Sequence, residues 1–193
     1  MNTVERILSA AAVEFAERGV HGVRMEHVAK RAKLNKALVY RHFRDKENLY
    51  RETLRHELNK RKAFLATLPP SLEEMLVLWS RQQAKDAEFI RLVAQEGLHD
   101  QGGKPVEADV RKVYYAQQVD MLRGLQASGS LHTAFDPEPL FFALLMLTVG
   151  PVLLPQVMRL AIPGDDRAER WDQFLKSLVR ALAPQPDEDR TDG

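Results

Sequence analysis

Apolar residues recur at helical spacing along almost the whole of this chain, and no stretch alternates apolar and polar residues for a useful length of strand. A chain patterned in this way buries its apolar stripes by packing helix against helix, so the class is all-α. The breaks in the pattern then set the elements. A first helix is predicted over 3–18, with Thr3 as N-cap and Val4, Ile7, Leu8, Ala11 and Phe15 on one stripe, ended by Gly19 and Gly22. A second, over 25–32, places Met25, Val28, Ala29 and Ala32 on one face. Asn35 caps a short third helix over 36–42, and Asp45 caps a long fourth from Lys46 to about Ala66, before Pro69-Pro70. Five more follow, roughly 71–84, 87–98, 106–127, 137–160 and 167–182, with Ser71, Asp86 and Asp136-Pro137 as starts. Gly102-Gly103, Gly129-Ser130 and Pro163-Gly164 are the breaks between them.

The outline is about nine helices: a three-helix domain over 1–48, a connecting fourth helix over 46–66, and a larger helical domain over 49–183. The last residues, 184–193, carry no apolar side chain and are expected to be disordered. Charge divides the chain as the helices do. Residues 1–62 hold 15 Lys and Arg against 8 Asp and Glu, whereas residues 63–193 hold 13 against 19, so a net charge of +1 conceals a basic head on an acidic body. That asymmetry suits a protein of which one end meets a polyanion. Two short helices joined by a tight turn, inside a basic three-helix unit, make a helix-turn-helix pattern.

Helical geometry sorts the third helix. Val39 and Phe43, four apart, point inward; Ala37, Leu38 and Arg41 then point outward, with Lys36 and Tyr40 on the flanks. An outer face of this kind can enter a major groove, where Leu38 would meet a thymine methyl. Arg41 would either pair with guanine or hold a phosphate, and Asn35 is first a helix cap and only second a base reader.

The strings ILSAAAVEFAERG and VAKRAKLNKALVYRHFRDKENL, with the ordered set Phe15, Gly19, Ala29, Ala32, Tyr40, Phe43, Lys46, Glu47 and Leu49, resemble the N-terminal DNA-binding domain of the TetR family of bacterial transcriptional regulators. The likeness covers about residues 4–50. It implies phosphate contacts from Tyr40, His42 and Lys46, and a dimeric, cytoplasmic and nucleoid-associated repressor of a palindromic double-stranded operator. It also implies a helical body that pairs two subunits and binds a small-molecule effector, with no cofactor. The chain departs from the family pattern at three places. Arg24 and Met25 stand where threonines open the second helix, so that Arg24 replaces a hydroxyl at the phosphate. Lys33 stands where a glycine is usual in the turn, and Asn35 where a serine or threonine is common.

In the body, the two last long helices are the expected dimer interface, through Leu140, Leu144 and Leu147 on one and Trp171, Phe174, Leu175, Leu178 and Leu182 on the other. Pro151 and Pro155 should kink the first of these. Trp79, Gln83, Phe89, Tyr114, Gln118 and Met121 mix aromatic surface with polar tips and are the expected effector contacts, for a small and largely apolar molecule. Positions 139–158 carry no charge, but Gly150, Pro151, Pro155 and Gln156 interrupt them, so a buried or interfacial helix is expected there and not a membrane span. Glu5, Arg6, Glu14 and Glu17 break up the first apolar pattern and exclude a signal peptide in it.

An enzyme is not expected. The chain has no cysteine for a nucleophile or thiolate site, and it carries none of the hydrolase, zinc-protease or phosphate-loop motifs. Glu96 and His99 form one E-x-x-H pair, where a carboxylate-bridged metal bundle needs two, and Glu52 and His56 lie on an exposed charged helix. A carboxylate and histidine metalloprotein, or a helical adaptor without regulatory function, are the alternatives.

Overall fold

A computed structural model describes residues 1–184 of the chain. Among them the backbone forms helices and no strand: α1 (Thr3–Gly22), α2 (Met25–Ala32), α3 (Lys36–Phe43), α4 (Lys46–Leu65), α5 (Leu72–Lys85), α6 (Ala87–Leu98), α7 (Ala108–Ala127), α8 (Pro137–Leu153), α9 (Pro155–Ala161) and α10 (Arg167–Leu182). Apart from Pro184, the tail predicted over 184–193 lies outside the described residues.

Two elements differ from the reading above, each for a local reason. The N-cap of α1 is Asn2 and not Thr3: the Asn2 side chain accepts from Glu5 N at 2.9 Å while Glu5 Oε2 accepts from Asn2 N at 2.9 Å, a reciprocal box that Thr3 has no glutamate to complete. The predicted helix over 137–160 is two helices, bent by 92°. Leu154 stands before Pro155, which disfavours helical geometry, and takes φ −124° and ψ 54°; Pro155 then opens α9, at a position where a missing N–H costs nothing. Pro151 is carried inside α8. No single described helix is long and apolar enough to cross a membrane; α8 and α9 pass that test only as the bent pair.

The chain packs as two compact units. The first comprises Met1–Thr67 and Gln83–Tyr114. Here α1 lies against α2, α4 and α6, and Ile7, Ala11, Phe15, Val28, Val39, Leu49, Leu54 and Leu58 are closed from solvent. Phe15 and Tyr50 meet edge to face at 5.0 Å between ring centres. Packing therefore joins α4 and α6 to the N-terminal helices, whereas the division expected from the sequence fell at residue 48. Gly19 interrupts α1 with φ 64° and ψ 169°, and a Cβ there would come within 3.4 Å of Gln95 Oε1 on α6.

The second unit comprises Leu68–Gln82 and the described residues from Tyr115. Its core holds Leu76, Leu122, Leu131, Leu144 and Leu175. Phe141 lies between Trp79, stacked at 6.3 Å, and Tyr115, tilted at 5.9 Å. Two arginine pairs fasten α5 to α10: Arg180 grips both oxygens of Glu73, at 2.9 and 2.7 Å, and Arg81 donates twice to Asp172 Oδ2, at 2.9 and 2.6 Å.

Candidate nucleic-acid interface

The turn between α2 and α3 is built without glycine. Lys33 takes the left-handed conformation, φ 54° and ψ 46°, in which a residue with a Cβ is disfavoured. Hydrogen bonds hold it there. Lys33 N donates to Lys30 O at 3.1 Å, Leu34 N donates to Ala29 O at 2.9 Å, and Arg6 reaches across from α1 to donate to Ala32 O at 2.7 Å. Asn35 then caps α3 by accepting from Leu38 N at 2.7 Å, as its residue type predicts.

Within α3 the core takes Val39 and Phe43 and little else. Lys36, Ala37, Tyr40, Arg41 and His42 are exposed and Leu38 is half-buried, so the outward face read from the 100° step is the face presented to solvent. Arg24 and Asn35 are exposed at the starts of the two helices. Arg24 makes no side-chain cap, and His27 N donates to its carbonyl oxygen at 3.0 Å. Lys46 is half-buried at the start of α4, its Nζ 3.5 Å from His21 O. Lys36 is ion-paired with Glu26 of α2 and lies 5.5 Å from the Tyr40 ring centre.

Three supporting residues escaped the sequence reading. Arg6 props the turn, and Glu26 holds Lys36. Glu14, almost fully buried, ties α1 to α2: Arg31 Nε donates to its Oε1 at 2.7 Å and Arg18 Nε to its Oε2 at 3.0 Å. Burial alone would push the Glu14 carboxyl up, but the hydrogen bonds and charges of Arg31 and Arg18 outweigh it and hold the pKa below the ordinary glutamate value. The pairing had a signal in the four-residue step from Glu14 to Arg18. For Arg6 the sequence offers none, because its partner is a backbone carbonyl 26 residues away.

Residues 7–53, which span this whole arrangement, match the family model of bacterial regulatory proteins, tetR family. The chain thus carries a TetR-type DNA-binding domain at its N-terminus. The likeness extends beyond the domain. The chain is 29% identical over 165 residues to the HTH-type transcriptional repressor SCO4008 of Streptomyces coelicolor, covering 85% of each protein. It is 28% identical over 143 residues to the HTH-type transcriptional repressor NicS of Pseudomonas putida, covering 70% of this chain and 67% of that one. Among solved structures, SCO4942 of Streptomyces coelicolor, assigned as a transcriptional regulator, superposes with a TM-score of 0.77 at 26% identity over 96% of this chain and 100% of that one.

The remaining residues singled out in the sequence fall as follows. Leu140, Leu144 and Leu175 are buried in the second unit's own core, Leu147, Trp171, Leu178 and Leu182 are half-buried, and Phe174 is exposed. Phe142 and Met146 on α8 and Val157 and Leu160 on α9 are also exposed. Gln83, Phe89 and Tyr114 are buried in the first unit. There the buried Arg61 donates to Gln83 Oε1 at 2.6 Å and lies 4.2 Å from the Phe89 ring centre. Trp79 and Gln118 are buried in the second unit and Met121 half-buried. Trp79 and Met121 line an apolar gap of only about 10 Å³. Glu96 accepts from Arg111 Nη1 at 2.5 Å, and His99 Nδ1 lies 2.8 Å from Gln95 O.

Proposed function

We propose that this chain is a transcriptional repressor that binds a palindromic operator as a homodimer in the bacterial cytoplasm and is released by a small, largely apolar effector. The observation that carries the reading is α3 itself: a helix that commits two residues to the core and turns Ala37, Tyr40, Arg41 and His42 to solvent, in the basic third of the chain. Leu38 and Arg41, with Asn35 and Ala37 beside them, meet base edges; Arg24, Lys36, Tyr40, His42 and Lys46 hold phosphates. Both relatives are transcriptional repressors, which supports repression as the sign. A dimer follows from the geometry of two half-sites, and the exposed Phe142, Met146, Val157, Leu160 and Phe174 are the apolar surface available for it. The effector meets buried aromatic and amide side chains of the kind named above in one unit or the other.

Footprinting on the DNA flanking the chain's own gene locates the operator. On that fragment, Arg41→Ala should lose roughly 1–3 kcal/mol of binding while random DNA is scarcely affected. An equal fall on both would make Arg41 a phosphate anchor. Lys46→Ala should weaken all sequences alike and flatten the salt dependence by about one counterion, a slope change near ~0.9. An unchanged slope removes Lys46 from the interface.

A further inference from the structure

Three described residues other than glycine hold a positive φ: Lys33 at 54°, Arg44 at 57° and Glu107 at 56°. A side chain makes that conformation unfavourable, and it persists only where something else requires the residue. For Glu107 the requirement is visible. Its carboxylate is almost closed from solvent and accepts from Arg55 Nε of α4 at 2.8 Å. Lys33 and Arg44 have no such use inside the chain. Both are exposed, and among the described residues neither side chain takes part in a hydrogen bond or an ion pair.

Lys33 closes the turn before α3, and Arg44 is the residue on which α3 ends, so the two bracket the reading helix. Across Arg44, Asp45 N donates to Phe43 O at 2.6 Å, a three-residue turn that suits glycine better than arginine. Arg44 N nevertheless donates to Tyr40 O at 2.9 Å, so Arg44 keeps its helical place. It therefore continues the outward stripe of Ala37 and Arg41 at the i, i+4, i+7 spacing. Other cations of this region are engaged: Glu14 and Glu17 hold Arg31, and Glu26 holds Lys36. A glycine at 33 or 44 would relieve the backbone and serve the turn equally well. What it could not supply is a long cation.

We propose that Lys33 and Arg44 are phosphate contacts that clamp the two ends of α3 to the DNA backbones bordering a major groove. The assignment rests on the regulator reading, which puts α3 in that groove, and adds the two residues that seat the helix there. The dimensions agree. Eight helical residues span about 12 Å, and the groove is about 12 Å wide. A long cation beyond each end of the helix is then within reach of a phosphate, while Leu38 and Arg41 face the bases. Contacts of this kind fix the position of the helix without reading sequence.

The test compares two kinds of variant in the full chain, by thermal melts and by binding to a mixed-sequence DNA duplex across a salt series. Lys33→Gly and Arg44→Gly remove both the strain and the charge, whereas Lys33→Met and Arg44→Met remove the charge and keep the Cβ. The glycine variants should melt about 1–4 °C above the parent, and the methionine variants close to it. All four should bind DNA more weakly, with the salt slope reduced by about 0.9 per lost contact. The parent's advantage should accordingly shrink about three- to fourfold per contact between ~50 and ~200 mM salt. Lys33→Arg and Arg44→Lys, which keep the charge, should bind like the parent. Higher stability with weaker binding marks residues kept for DNA and not for the fold. Parent-like salt slopes in the methionine variants overturn the proposal, because the turns and not their charges would then matter. A lower melting midpoint in the glycine variants overturns it as well, since the side chains would then serve the fold. Either result leaves the regulator reading standing; only a parent chain that ignores the duplex at low salt removes both.

Discussion

α3 and α8 make an instructive pair. The short α3 is amphipathic: Val39 and Phe43 face in, Leu38 is half-buried, and its other side chains are exposed. Its sidedness is written in its periodicity. The longer α8 is apolar all round, so periodicity cannot say which side is core. Its structure resolves the ambiguity by using both sides, with Leu140, Phe141 and Leu144 closed inside and Phe142 and Met146 exposed. A helix with one apolar stripe has one buried face, whereas a helix apolar all round needs two partners, its own core and something beyond it.

The largest effect should come from breaking that second partnership. In the proposed homodimer a charge at Phe142 or Phe174 would be buried unpaired and cost several kcal/mol, so Phe142→Asp and Phe174→Asp should yield folded monomers by light scattering. Leu144→Asp places the same charge on the inner side of α8 and should unfold the chain, seen as lost helical circular dichroism. If both exposed-side variants stay dimeric, the interface lies elsewhere and α8 is apolar outside for another reason.

How much was legible follows from the same contrast. The bounds of α2, α3 and α6 and the caps at Asn35 and Asp45 could be read because each depends on residues a few positions apart. The outer face of α3 could be read for the same reason. The 92° bend after α8 was foreshadowed by Pro155, but the angle was not, since a proline announces a break and not its direction. A leucine on an apolar stripe looks alike whether a neighbouring helix or another subunit covers it, so periodicity alone cannot tell that Leu140, Leu144 and Leu175 are buried in the second unit's own core. The union of α6 with α1 depends on contacts far apart in sequence and left no local trace.

A smaller effect is expected at the brace beneath the reading unit. Glu14→Gln keeps the shape but removes the charge that Arg18 and Arg31 share, and should cost about 1–3 kcal/mol in denaturant melts. The pH dependence has a definite sign. The folded-state pKa of Glu14 is lowered, so its contribution is fully present above the ordinary glutamate value of about 4.3 and is lost as pH falls through the lowered value. Acid unfolding of the variant should therefore be less steep below pH ~4 than that of the parent. Parallel acid limbs would mean that the bonds to Glu14 are loose in solution and that α1 and α2 hold together by apolar packing alone.

The smallest effect tests whether the outward face of α3 is as free as its exposure suggests. Lys36 is held by Glu26, and this hydrogen bond, with the charge of Glu26, raises the Lys36 pKa. A carboxylate beside the DNA face both engages a phosphate-binding cation and repels the phosphate itself. Glu26→Gln should therefore tighten binding to operator and random DNA alike by a few-fold at low salt, with a steeper salt dependence, and the gain should fade as ionic strength rises. Both side chains are exposed, so stability should change little. The informative failure is weaker binding with unchanged stability. It would show that Glu26 orients Lys36 toward the DNA, so that part of the recognition face is set by α2 and α3 is not the autonomous reader that its amphipathic pattern describes.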